Sequence, residues 1–137
     1  MKNGDVAALV RYRIEQAETA LDDARFLLVG NRSPLSIINR SYYAMFYAAL
    51  GLLQAAGKVP GKHTGVIGLF DTEFVQKGAF PKELSRDFHR AFEMRQKSDY
   101  RVTEPATSER AAELLTRAER FVAALREHLQ NSGLSAE

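Results

Sequence analysis

Apolar residues recur at helical spacing along most of the chain. In the first segment they stand three and four positions apart, so they share one face of a helix. These residues are Val10, Ile14, Ala17, Leu21, Ala24 and Leu28. Gly30 and Asn31 tolerate the left-handed backbone in which helices often end, and Ser33 with Pro34 is a typical helix start. The pattern predicts a first helix that ends near Gly30 and a second that begins at Pro34.

The second predicted helix, residues 34–56, is apolar or aromatic around most of its circumference. Its segment SYYAMFYAALGLL lacks the polar face of a surface helix, which is typical of a buried central element. The sequence GKVPG at residues 57–61 predicts a turn after it. We therefore expect the other helices to pack around this one.

A third helix is predicted over residues 63–77, with Gly78 as its end. Its stripe consists of His63, Val66, Ile67, Phe70 and Phe74. Pro81 opens a fourth helix, whose apolar face contains Leu84, Phe88 and Phe92. Continuing that face by three and four residues leads to Arg95 and Asp99, so polar residues take over an apolar face.

The last predicted helix follows a loop at residues 103–107. Its apolar positions are Ala111, Leu114, Leu115, Ala118, Val122, Leu125 and Leu129. Five helices without an internal repeat or a long linker predict an all-α fold, a single up-and-down antiparallel helical bundle. The length of 137 residues fits one domain, residues 1–137. Its ordered core should span about residues 8–130, and residues 131–137 should fray.

Composition narrows the possible functions. Cysteine is absent, which excludes a disulfide framework, a thiolate metal site and a cysteine nucleophile, and is compatible with a reducing compartment. The N-terminal region lacks the apolar run of a signal peptide, and no stretch is long and apolar enough to span a membrane. We therefore expect a cytoplasmic protein without membrane contact. The net charge of +2 is too small for a dedicated DNA-binding protein but leaves room for a local basic site.

Common catalytic and metal-binding motifs are missing. The sequence contains no glycine-rich phosphate loop, no HExxH and no GxSxG. His63, His89 and His128 belong to three different predicted helices and lack the spacing of a helical metal site, so we predict neither a metal nor a cofactor. At the start of the third helix, Lys62 and His63 could hold an anion beside exposed backbone N–H groups. The alternative is that His63 packs on the core, and we find no company of interest for His89 or His128.

The segment RQKSDY at residues 95–100 is the most informative stretch. Arg95 and Asp99 stand four residues apart at the end of the fourth helix, with Lys97 between them and Tyr100 next. One interpretation is a surface ion pair that contributes ~0.3–0.5 kcal/mol. The other is functional, because the helical stripe directs Arg95 and Asp99 inward or into an interface, where charged groups are paired or used.

A second cluster of polar and aromatic residues lies on the central helix. Asn39, Arg40, Tyr43 and Tyr47 come together at spacings of three and four, with Tyr42 beside them. Core tyrosines usually provide bulk and one satisfied hydroxyl group. The alternative is ligand binding, since a guanidinium group forks onto phosphate and aromatic rings stack on bases.

Three blocks in the same order and spacing resemble the small stand-alone HEPN proteins of prokaryotes. They are RSYYAMFYAALGLL, GKHTGVIGLFDTEFVQKGAFPKEL and AFEMRQKSDY, and the resemblance covers about residues 8–130. It implies a helical bundle that commonly dimerises, with two copies of the motif in one cleft. Many HEPN proteins are metal-independent endoribonucleases that act as toxins beside a nucleotidyltransferase antitoxin called MNT. Others are binding modules without enzymatic activity.

The family's catalytic motif is an arginine followed, after four to six residues, by a histidine. Arg95 matches the arginine, but Tyr100 stands in place of the histidine and Gln96 replaces the usual small polar residue. A tyrosine with an unperturbed pKa of ~10 is a weak general base near neutral pH. In some HEPN toxins a tyrosine two positions beyond the histidine is nucleotidylated; Val102 occupies that position here, although Tyr100 itself could accept the group.

We therefore expect a homodimeric HEPN protein of a toxin–antitoxin or defence pair that binds RNA or a nucleotide in a dimer cleft. Cleavage, if present, would be weak or altered and would use Arg95, Asp99 and Tyr100. The expected binding residues are Asn39, Arg40, Tyr43, Lys62, His63 and Lys97. One alternative is a noncatalytic subunit that helps a separately encoded nucleotidyltransferase hold its nucleotide or substrate. Another is a structural dimer in which Arg95 and Asp99 only pair across the interface.

Overall fold

In a computed structural model, the described residues are 3–58, 60–100 and 106–133, with side chains undescribed at residues 3, 63, 64 and 97–100. This part of the chain forms five α-helices and one short π-helix. The α-helices are α1 (Asn3–Val29), α2 (Pro34–Ala55), α3 (His63–Phe70), α4 (Lys82–Tyr100) and α5 (Ser108–Asn131). The π-helix, Asp71–Val75, follows α3 directly. The predicted all-α bundle is thereby confirmed.

The ends of α1 and of the third helical segment follow the predicted punctuation, whereas Ser33, expected to cap α2, makes no side-chain cap hydrogen bond. Asn31, with φ of 53°, adopts the left-handed conformation after α1, so it is the asparagine and not Gly30 that turns the chain. Gly78, with φ of 86°, ends the third helical segment as predicted. The Thr107 side chain accepts a hydrogen bond from the backbone N–H of Arg110 at 3.2 Å and so caps α5.

The central element is α2, which contacts each of the other four α-helices. More than half of its residues are buried, as its nearly uniform apolar sequence predicts. Below it, Phe88 of α4 and Phe121 of α5 pack with ring centres 5.0 Å apart, and Phe70 of α3 contacts both. This aromatic core holds α4 against α3 and α5, and the Tyr42 ring of α2 lies 6.2 Å from that of Phe88. These contacts position α4, which carries the RQKSDY segment.

The third predicted helix is not continuous over residues 63–77. Its first part is α3, with Val66, Ile67 and Phe70 buried as expected. From Asp71 the backbone widens into a π-helix, in which the N–H of Gln76 donates to the carbonyl of Asp71 at 2.8 Å. The apolar spacing is compatible with either winding, so the sequence pattern alone does not distinguish them.

A buried carboxylate links α4 to α5. The Asp87 side chain is 1% exposed and accepts a hydrogen bond from Nη1 of Arg117 at 2.7 Å. Arg120 lies farther from its second oxygen, at 3.7 Å. None of the helices in the described segments has the length and apolar character needed to cross a membrane.

Candidate functional site

Arg95 lies against two aromatic rings of the central helix. Its guanidinium carbon is 5.4 Å from the centre of the Tyr42 ring and 5.3 Å from that of Tyr43. Its Nη2 donates a hydrogen bond to the Tyr43 hydroxyl group at 3.3 Å. The side chain is half-buried, and its Nε has no hydrogen-bond partner among the described residues. Arg95 therefore points inward, as the helical stripe predicted.

Arg40 approaches the same aromatic ring from α2 itself. Its guanidinium carbon lies 5.3 Å from the centre of the Tyr43 ring, as the three-residue spacing on a helix allows. Both Nη2 and Nε of Arg40 donate to Oδ1 of Asn39, at 2.9 and 3.3 Å. Arg40 and Arg95, which we call the cationic pair, thus share one tyrosine as their support.

The two guanidinium groups of the cationic pair have no ion-pair partner among the described side chains. Of the carboxylates whose side chains the structure describes, none has an oxygen within 4.0 Å of either guanidinium group. Elsewhere in the described chain, most of the hydrogen bonds that arginine side chains donate go to carboxylates, as for Arg25 and Arg117. Two guanidinium groups on one ring, without an acidic partner among the described side chains, provide forked donors suited to phosphate.

Tyr42 forms the buried floor beneath Arg95. Its side chain is fully buried, and its hydroxyl group finds no hydrogen-bond partner in the described part of the chain. The expectation that core tyrosines have a satisfied hydroxyl is therefore wrong at this position. Burial raises the pKa of Tyr42 to about 12, although the nearby positive charge of Arg95 acts to lower it. Tyr42 is consequently neutral over the physiological pH range.

Two open grooves between α1 and α2 meet at Arg40. The Leu35 groove has a volume of about 460 Å³ and is lined by Leu27, Leu35, Ser36, Asn39 and Arg40. The Tyr12 groove, of about 400 Å³, has Tyr12, Glu15, Gln16, Asp23, Arg40 and Tyr47 among its lining residues. Of these, the sequence analysis singled out only Asn39, Arg40 and Tyr47, because α1 carries no motif and Leu35 and Ser36 lie outside the cluster on α2.

The remaining predicted site residues are not joined to the cationic pair by any described contact. The side chains of His63, Lys97, Asp99 and Tyr100 lie outside the described residues, although the backbone at all four is helical. Lys62 is exposed at the N-terminal end of α3, and no contact described in the structure links it to Arg40 or Arg95. The roles assigned to these five residues stay predictions.

His89 has partners that the sequence analysis missed. Its Nε2 lies 2.6 Å from Oδ2 of Asp71, and the Ser85 hydroxyl group donates to Oδ1 of the same aspartate at 2.6 Å. These contacts tie α4 to the start of the π-helix. The statement that His89 lacks company was wrong, because its partner is 18 residues earlier and on another element. In the sequence, the signal for this cluster was that Ser85 and His89 stand four residues apart.

Nothing in the described chain resembles a metal centre. No three His, Cys, Asp or Glu side chains come together there in an arrangement that could hold a metal ion. His128 packs its ring against Phe80 and Phe74, with centres 5.0 and 6.1 Å apart, and so belongs to the core. At the cationic pair, the described side chains can stabilise negative charge and donate hydrogen bonds.

Comparison with known proteins agrees with this architecture. The HEPN domain family matches residues 10–128. A UPF0332 protein of Thermotoga maritima is 36% identical over 123 residues, which cover 90% of this chain and 92% of the relative. A protein of Methanocaldococcus jannaschii named "Putative toxin MJ0605" is 33% identical over 128 residues, covering 93% of this chain and 94% of the relative. The chain belongs to the HEPN domain family.

Proposed function

We propose that this HEPN protein acts in a toxin–antitoxin or related defence pair and binds RNA at the cationic pair. The observation that carries the proposal is the support of Arg95 and Arg40 on the Tyr43 ring without a carboxylate partner among the described side chains. An arginine that is already held in place loses less side-chain entropy when it binds a phosphate. The toxin names of two M. jannaschii relatives favour the biological setting.

If the protein cleaves RNA, a ribose 2′-hydroxyl loses its proton and attacks the adjacent phosphate, and the bond from phosphorus to the 5′-oxygen breaks. That oxygen takes up a proton, so the products are a 2′,3′-cyclic phosphate and a 5′-hydroxyl end. Arg95 would stabilise the charge that develops on the phosphorane, which is the larger contribution in such reactions. Tyr100 could donate a hydrogen bond but is a poor general base at neutral pH, because unperturbed tyrosine has a pKa of ~10. We therefore expect binding to be the robust property and cleavage to be slow.

The test is binding and cleavage of a fluorescent single-stranded RNA in the presence of EDTA. We expect Arg95→Ala and Arg40→Ala each to weaken binding by roughly tenfold, as for the loss of one charged hydrogen-bonding group. Arg126→Ala is the matched control, since Arg126 is on α5, is paired with Glu18 and carries the same charge. Equal losses for all three variants would refute a localised site. RNA cleavage that is unaffected by Arg95→Ala would refute its role in the reaction.

A second candidate is a noncatalytic subunit for a separately encoded nucleotidyltransferase of the MNT type. Tyr100 in place of the motif histidine favours this function over an efficient nuclease. Co-expression with the product of the adjacent gene, followed by co-purification and an ATP titration, tests it. An isolated chain that binds neither that partner nor ATP contradicts it, and growth arrest on expression of the chain alone, relieved by Arg95→Ala, favours the toxin.

We also propose that the chain forms a homodimer near the α1–α2 turn. Phe26 and Val29 at the end of α1 are 79% and 87% exposed. Such apolar side chains grouped at one end of a bundle are typical of an association surface. Sedimentation of the wild type and of Phe26→Ser should show a dimer that the substitution weakens, whereas an unchanged or monomeric species would contradict this surface.

A further inference from the structure

The two grooves that meet at Arg40 have the size and the polarity of ligand subsites. Volumes of about 460 and 400 Å³ fall within the ~300–1,000 Å³ range of small-molecule sites. Arg40 lines both grooves, so one ligand that contacts Arg40 could extend into each of them. Two hydrogen bonds to Asn39 use part of the guanidinium, and its other N–H groups are left for a ligand.

We infer that the preferred ligand is a dinucleotide step of single-stranded RNA, with its phosphodiester on Arg40 and one base in each groove. This inference rests on the proposed function and specifies its substrate. In a nucleic acid strand, every internal phosphate links two nucleosides and so has a base on each side. A single phosphate or a mononucleotide would fill only part of this arrangement.

In the Leu35 groove, Asn39 can present only donors to a base. An arginine side chain has no acceptor, so the Asn39 oxygen must be the atom that faces Arg40. The amide NH₂ group is then left to bind acceptor atoms such as O2 and N3 of cytosine. Leu27 and Leu35 supply apolar walls, and Ser36 adds a hydroxyl group at the edge.

The Tyr12 groove has the opposite polarity. Tyr12 is 53% exposed, and the guanidinium of Arg13 lies 5.6 Å from the centre of its ring, which leaves ring surface for stacking. Glu15 and Asp23 line the same groove and accept hydrogen bonds only. An amino-bearing base such as cytosine should therefore be favoured there over uracil, which presents O4 at the corresponding position.

The test measures binding of UMP, UpU, CpU and UpC to the full chain by NMR titration. We expect the better of CpU and UpC to bind at least fivefold tighter than UMP, the lower end of what stacking of one base gives. That dinucleotide should also bind at least threefold tighter than UpU, a factor in the range of one hydrogen bond. Tyr12→Ala should remove the gain over UMP, and Tyr12→Phe should keep it, since the ring and not the hydroxyl group stacks.

Asp23→Asn provides the second readout, because it exchanges one acceptor oxygen for an NH₂ donor, removes a negative charge and keeps the shape of the groove. It should reduce the ratio between the affinity for the cytosine-containing dinucleotide and the affinity for UpU. A ratio of affinities separates base preference from a general effect of charge. Dinucleotides that bind no tighter than UMP, or a gain that survives Tyr12→Ala, overturn the inference. Long RNA that still binds in an Arg95-dependent manner would then leave the proposed function standing. Absence of any RNA binding would remove both.

Discussion

Replacing Tyr42 by phenylalanine removes a buried hydroxyl group that has no hydrogen-bond partner in the described part of the chain. The ring is fully buried, so its packing against Phe46, Phe88 and Phe92 should persist in the variant. Burying a polar group without a partner costs about 1–3 kcal/mol. We therefore expect Tyr42→Phe to raise the free energy of unfolding near neutral pH by about 1 kcal/mol, since relaxation around the site recovers part of that cost.

The same substitution should change the response to alkaline pH. Tyrosine ionises near pH 10 in the unfolded chain, whereas burial raises the pKa of Tyr42 in the folded protein to about 12. Because the folded pKa is the higher one, this contribution to stability is complete below pH 10 and is lost as the pH rises through 12. A difference of about two pKa units corresponds to about 3 kcal/mol of stability lost by the wild type. The Tyr42→Phe variant has no group that ionises at this position and should keep this stability.

Urea unfolding followed by circular dichroism at several values between pH 7 and pH 12 measures both effects. The advantage of Tyr42→Phe over the wild type should widen as the pH rises above 10. Tyr12→Phe, on an exposed ring of α1, is the control for general effects of removing a tyrosine. A variant that is markedly less stable at pH 7 would show that the hydroxyl group has a partner. A stability difference that stays constant to pH 12 would refute the buried-tyrosine argument.

Two further predictions concern stability and can be measured by the same unfolding experiment. Arg117→Ala should lower the free energy of unfolding by about 2–3 kcal/mol, less than a fully buried pair, because Arg117 is 37% exposed and Arg120 can move toward the carboxylate. Adding Asp87→Asn to that variant should restore part of the loss, and no restoration would contradict the ion-pair explanation. Thr107→Ala should cost about 1 kcal/mol through loss of the α5 cap, whereas Thr107→Ser should be nearly neutral; equal effects of the two would exclude the cap as the cause.

The helices could be predicted from the sequence because their apolar spacing is long and regular. The end of α1 also followed from local chemistry, as the left-handed backbone of Asn31 shows. The π-helix could not be predicted, since the stripe that includes Phe70 and Phe74 suits either winding. The carboxylate of Asp71, at the start of the π-helix, is held by two side chains of α4. Contacts between different helices do not follow from the spacing of residues along one helix.

The candidate site also has one part that could be predicted from the sequence and one part that could not. The proximity of Arg40 and Tyr43 followed from helical spacing, because both are on α2. The bond from Arg95 to Tyr43 joins residues 52 positions apart, and it depends on how α4 packs on α2. The contribution of Tyr12 could not be foreseen, since no motif marks it and its groove exists only where α1 meets α2.

The aromatic cluster on α2 explains why an arginine can replace an apolar residue on the inner face of α4. Phe88 and Phe92 pack against Tyr42, and Arg95 continues this face with its guanidinium over the Tyr42 and Tyr43 rings. An aromatic face attracts a cation without neutralising it, whereas a carboxylate would cancel the charge. Arg95 is therefore held in place on these rings without a carboxylate partner among the described side chains, as the proposed phosphate-binding site requires.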